Sequence, residues 1–193
     1  MSRRLDDLRE LLADEDVRSI SRRYFVSNGF DGTLTSVGVV VGSYLSGVPD
    51  GLTVFKIGVG AAIGLGTSGV WSVWEIERAE KRLEILRLER AMLTDLDDTE
   101  IQRRQHGARR INAVMSGLGP VLGVLLPLVP LLFEGSVVTL RTATLASVGV
   151  GVGLLFTFGA YLGDLSEQNW VVSGLRMGLA GVVVALLNLV LPG

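Results

Sequence analysis

The chain has 193 residues, 48% of them hydrophobic and 20% charged, with a formal net charge of −2, no cysteine and a mean hydropathy of +0.46. The apolar excess is more than a soluble core of this size needs, and the lack of cysteine excludes disulfides and thiolate metal sites. The charges are clustered, and between the clusters lie windows that meet the membrane-span criterion of about 18 apolar residues.

In chain order, residues 3–23 are charged and periodic without an apolar run, which argues against a signal peptide and for an amphipathic helix on the cytosolic surface. Residues 24–48 form a first span interrupted only by Asp31. Residues 57–74 form a second. Residues 75–94 continue it without Pro or Gly, with Leu83, Leu86 and Leu88 at helical spacing and many Glu–Arg neighbours, so a helix should project into the cytosol. An acidic turn at 95–100 leads to a basic helix at 102–110. Charge-free spans follow at 111–133, 142–163 and 177–193. The expected architecture is an all-α integral membrane protein with five transmembrane helices and a cytosolic helical extension after the second. It divides into an N-terminal helix (1–23), spans one and two (24–74), the connector (75–112) and spans three to five (113–193).

Six of the eighteen Lys and Arg residues fall in 1–23 and nine in 75–112. The positive-inside rule then places both segments in the cytosol and the C-terminus outside. Tyr24, Trp71, Trp74, Tyr161 and Trp170 all lie at the predicted cytosolic ends of spans, where amphipathic rings prefer the headgroup region. Glycines four apart (Gly38/Gly42, Gly60/Gly64, Gly119/Gly123, Gly149/Gly153, Gly174/Gly178) predict close backbone approach and a compact bundle. Pro120, Pro127 and Pro130 predict a kinked third span whose loosened carbonyls line a cavity.

Asp31 is the sharpest chemical candidate, because an ionisable group in a span costs about 2.5–3.5 kcal/mol even on lenient insertion scales and usually meets a cavity or a partner. Asn28 lies one turn before it on nearly the same face. Hard oxygen ligands of this kind suit divalent cations such as Mn²⁺ or Fe²⁺. The competing readings are that Asp31 caps a broken helix or pairs with Arg176, the one cation well inside a span. Glu77, Glu80 and Glu84 form a row that can collect cations or simply pair with neighbouring Arg and Lys. His106 reads as surface. The stretch FDGTLT resembles a phosphatase loop, but that chemistry needs a nucleophilic Asp where Gly29 stands. No HExxH, phosphate-binding loop or Ser-His-Asp order is present, so an enzyme is disfavoured.

Three stretches carry a family resemblance: NGFDGTLTSVGVVVG, LGPVLGVLLPLVP and SGLRMGLAGVVVALLNLVLPG. They are similar to the first, third and last spans of the vacuolar iron transporter family, which includes nodulin-21-like proteins. The resemblance implies a homodimer in a prokaryotic plasma membrane that moves Fe²⁺ or Mn²⁺ out of the cytosol in exchange for protons. It places Asp31 in the metal path and Glu77, Glu80 and Glu84 in a cytosolic collecting site, with Asn28 and Arg176 in support and the bilayer, the metal and protons as partners. The second span departs from the family pattern, carrying Thr67, Gly69 and Ser72 where the family has Met and Glu ligands. A divergent branch, or a non-transporting membrane scaffold that keeps the fold, is the alternative.

Overall fold

The computed structural model describes residues 14–92 and 100–190, the side chains of Met92 and residues 100–106 excepted. The candidate N-terminal helix up to residue 13, most of the acidic turn and the side chain of His106 lie outside what is described. Among the described residues there are five α-helices: α1 (Glu15–Leu45), α2 (Gly51–Met92), α3 (Glu100–Leu128), α4 (Leu140–Leu165) and α5 (Trp170–Val190), with a 3-10 turn, Val129–Phe133, after α3.

Local chemistry sets the ends. The Asp14 carboxylate accepts from the amides of Asp16 and Val17 at 3.0 and 3.5 Å, and Glu15 and Asp16 complement the positive end of the helix. α1 stops at Ser46, followed by Gly47 at φ 75°, a conformation that glycine adopts without strain. Asp50 opens α2, accepting from the Thr53 amide at 2.8 Å and the Thr53 hydroxyl at 2.9 Å. The backbone and then the side-chain bond from Thr53 hold the Asp50 carboxyl below its ordinary 3.8. This cap is therefore complete above that value and is lost as pH falls through the lower, folded-state one. Asn169 starts α5 in the same way, accepting from the amides of Val171 and Val172.

Two expected boundaries are absent. The chain runs through residue 24 and through residue 112 as unbroken helix, and Asn28 and Asn112 turn their side chains to partners on other helices instead of capping. The stretch read as a separate amphipathic helix is, from Glu15 onward, the first turns of α1, and the basic helix at 102–110 is the first part of α3. α2 likewise passes from apolar span into charged extension without interruption, as the lack of Pro and Gly predicts. From Arg78 to Ala91 none of its residues is buried.

Four helices are long and apolar enough to cross a membrane: α2 through Ala91, the stretch Gly107–Phe133, α4 and α5. α1 is not among them. Its Asn28, Asp31 and several Thr and Ser residues lower its hydropathy. It occupies the middle of the bundle, packed against α3 most extensively and also against α2, α4 and α5, so most of its surface meets protein. The apolar core, including Val40, Val54, Val124, Leu128 and Leu131, sits toward the end of the bundle away from Arg22 and Arg23.

The α1–α3 contact is a seam rich in small residues, in which Phe25, Gly29, Gly32 and Ser36, spaced four, three and four apart, meet Ser116, Gly119, Pro120, Gly123 and Val124. A side chain added at Gly119 would strike the backbone of Phe25 and Gly29, and one at Gly123 the backbone of Gly29 and Thr33. Of the glycine pairs picked out in the sequence, Gly119/Gly123 and Gly174/Gly178 make interhelical contacts and Gly38/Gly42 touch α5. Gly60/Gly64 and Gly149/Gly153 face outward with nothing within 4 Å. α2 meets α3 through Gly58, Gly66 and Gly69 instead.

Candidate functional site

Where α1, α2 and α3 meet near Arg22, three polar side chains converge. Glu77 is 3% exposed and Asn112 1%. The Tyr24 hydroxyl donates to Glu77 Oε1 at 3.3 Å, and Asn112 Nδ2 donates to the same oxygen at 3.2 Å. A carboxylate taken out of water needs such donors. The Asn112 Oδ1 is buried with no hydrogen-bond partner among the described residues, so the cluster has an oxygen acceptor to spare beside a carboxylate. Arg109, one turn before Asn112, lies over the Trp74 ring at 4.2 Å.

One turn deeper, Pro120 has no amide hydrogen, so the Ser116 carbonyl four residues earlier lacks its helical donor. Asn28 Nδ2 supplies the missing bond at 3.1 Å and also bonds the Ser116 hydroxyl, which in turn donates to the Gly69 carbonyl at 2.9 Å. The expectation that the prolines open carbonyls onto a cavity is corrected at this position: the Ser116 carbonyl is filled by a side chain of α1. Ser36 adds a further bond, donating to the Val124 carbonyl at 3.0 Å. These contacts are a polar ladder along the seam, linking α1 to α3 at two levels, α1 to α2 at one and α3 to α2 at two.

Asp31 stands apart from the ladder. It is exposed on the outer side of α1, on the i,i+4 row that contains Arg23 and Ser27, also exposed, and the Thr35 hydroxyl donates to its backbone carbonyl rather than to its carboxylate. Arg176 is exposed on α5, and no ion pair joins it to Asp31 or Asp164 among the described residues. Glu80 and Glu84 are exposed on the continuation of α2, with Glu84 2.9 Å from Lys81. The four candidate ligands Asp31, Glu77, Glu80 and Glu84 are therefore not drawn into one cluster. No group of three or more His, Cys, Asp or Glu able to hold a metal occurs among the described residues. Tyr24, Asn112 and Ser116, the partners that give Glu77 and Asn28 their settings, were not picked out in the sequence as site residues. The signal was two polar pairs four residues apart, Tyr24/Asn28 and Asn112/Ser116, in otherwise apolar surroundings.

The model of the VIT family matches residues 73–191, well over half of the chain, from the last turns before Glu77 through α5. The chain is also similar to the uncharacterised protein MJ0645 of Methanocaldococcus jannaschii, at 29% identity over 169 residues covering 86% of this chain and 85% of that protein. The helical bundle with its spanning helices, the α2 continuation that carries the glutamates, and the extent of the family match agree. The chain belongs to the VIT family.

Proposed function

We propose that this multi-pass membrane protein is a divalent-metal exporter that exchanges Fe²⁺ or Mn²⁺ for protons, and that it works as a homodimer. The observation that carries the reading is the position of Asp31: a carboxylate on an exposed row of the one helix that packs against all four others. A lone carboxylate facing lipid tails would cost about 2.5–3.5 kcal/mol or more. A second copy brought against the same row of α1 removes that cost and sets two carboxylates across a polar path. Paired carboxylates are hard ligands for Fe²⁺ or Mn²⁺, and close approach of two like charges raises their proton affinity, which couples metal release to proton uptake.

In this reading the Arg22 end is cytosolic and the C-terminus lies outside, as the distribution of Lys and Arg supports. Exposed Glu80 and Glu84 gather cations on the cytosolic continuation of α2, and Glu77 with the spare Asn112 Oδ1 receives them where α2 enters the bundle. Arg176 lies toward the same end as a supporting cation. The protein itself carries no resident cofactor in this account, and the metal is its cargo. A non-transporting scaffold is the second reading, favoured by the lack of a three-ligand cluster within one chain. Flux separates the two. Purified protein in liposomes should move Mn²⁺ or Fe²⁺ with a matching change in internal pH, and Asp31→Ala should abolish both. Absence of metal-dependent flux in the intact protein would leave the scaffold.

A further inference from the structure

Beside the seam, α1, α4 and α5 leave a cavity of about 450 Å³, whose lining shares Arg23 and Ser27 with the α1 row of Asp31 but otherwise lies on faces that the transport reading does not use. Its lining is divided along α1. Ser19, Arg22, Arg23 and Ser27 bring hydroxyls and two guanidinium groups to one end. Val26 and Phe30 continue the same face toward the middle of the bundle, opposite Leu162, Leu165 and Met177. From Arg23 to Phe30 the helix advances about 10 Å, so cationic and apolar surfaces are stacked along one groove. Arg23 lies 5.6 Å from the Tyr24 ring centroid, and neither arginine forms an ion pair among the described residues.

We propose that this groove is a binding site for an anionic phospholipid, with the phosphodiester held by Arg22 and Arg23 and an acyl chain laid over Phe30, Leu162 and Met177. Charge complementarity selects the head: two guanidinium groups without an ion pair among the described residues offer planar donors to phosphate oxygens. The apolar floor selects an amphiphile over a free anion, because inorganic phosphate leaves that floor unfilled. The level is also right, since Tyr24, Tyr161 and Trp170 share this end of the bundle and such rings mark the headgroup region. The inference goes beyond metal transport and does not depend on it.

The test is native mass spectrometry of the full-length protein with added phosphatidylglycerol or phosphatidylcholine. Phosphatidylglycerol should be retained in preference. Arg22→Gln with Arg23→Gln should lower that retention about thirtyfold, the scale expected for two arginines at a charged membrane surface, whereas Arg82→Gln with Arg87→Gln on the exposed part of α2 should not. Leu165→Trp, which fills the groove from an exposed position, should also weaken retention while leaving the arginines in place. Equal retention of the two lipids, or displacement of phosphatidylglycerol by millimolar inorganic phosphate, would overturn the proposal. A dimer of lipid-stripped protein that is lost in Leu165→Trp would assign the groove to a second copy and overturn it as well.

Discussion

Alanine at position 32 is expected to loosen the bundle more than any other single-methyl addition tested on α1. A Cβ on Gly32 would lie 2.5 Å from the Pro120 carbonyl oxygen and 2.6 Å from the Pro120 Cα. These are backbone atoms of a packed helix, held by the seam above and below, so no rotamer change relieves the contact and the two helices must separate. Overpacking of this kind costs about 1–3 kcal/mol, and a backbone obstacle puts it at the upper end. The better helix propensity of alanine returns up to about 1 kcal/mol. A net loss of about 2 kcal/mol corresponds to a fall in Tm of about 4–8 °C for a chain of this size. Gly60→Ala is the matched control, since nothing lies within 4 Å of that position, and it should be neutral or slightly stabilising. Thermal unfolding in detergent decides it, and equal behaviour of the two variants would refute the close α1–α3 approach.

Asn28→Ala is the second large effect, and its signature is a rescue. The substitution removes the donor to the Ser116 carbonyl, leaving a buried acceptor that Pro120 cannot serve, at a cost of about 1–3 kcal/mol. Pro120→Ala in the same chain returns an amide hydrogen to α3 at the place where it is missing. The double variant should therefore recover part of the loss, with a coupling of about 0.5 kcal/mol or more in the cycle. If Asn28 serves only an ion path, the two substitutions add without coupling, and flux falls while stability does not.

Much of this was legible in the residues, for identifiable reasons. The continuity of α2 through Glu75 followed from the lack of Pro and Gly, whereas the caps at Asp50, Thr139 and Asn169 emerge only from the fold. The unbroken entry into α1 was misread because a charge cluster beside an apolar run looks like two helices, whereas helical hydrogen bonding is indifferent to side-chain charge. The glycine pairs were over-read: spacing places Gly60 and Gly64 on one face of a helix, but only the fold decides whether a neighbour stands opposite that face. The glutamate row shows the same limit. Glu77 and Glu84, seven residues apart, share a face, yet Glu77 is buried under Tyr24 and Asn112 while Glu84 is exposed. The sequence reads residues 24–48 as a span, whereas α1 is not among the four helices long and apolar enough to cross a membrane among the described residues: the apolar run starts inside a helix whose first turns carry Glu15, Asp16, Arg18, Arg22 and Arg23.

The central claim is that the exposed carboxylate of Asp31 meets its counterpart from a second copy and that a metal ion passes between them. Anomalous scattering at the manganese edge, from the dimer in a lipid environment soaked with Mn²⁺, tests this most directly. The account predicts a peak between the two Asp31 carboxylates that disappears in Asp31→Ala. A dimer that joins through other helices and leaves Asp31 against lipid, with manganese bound nowhere along α1, would contradict it.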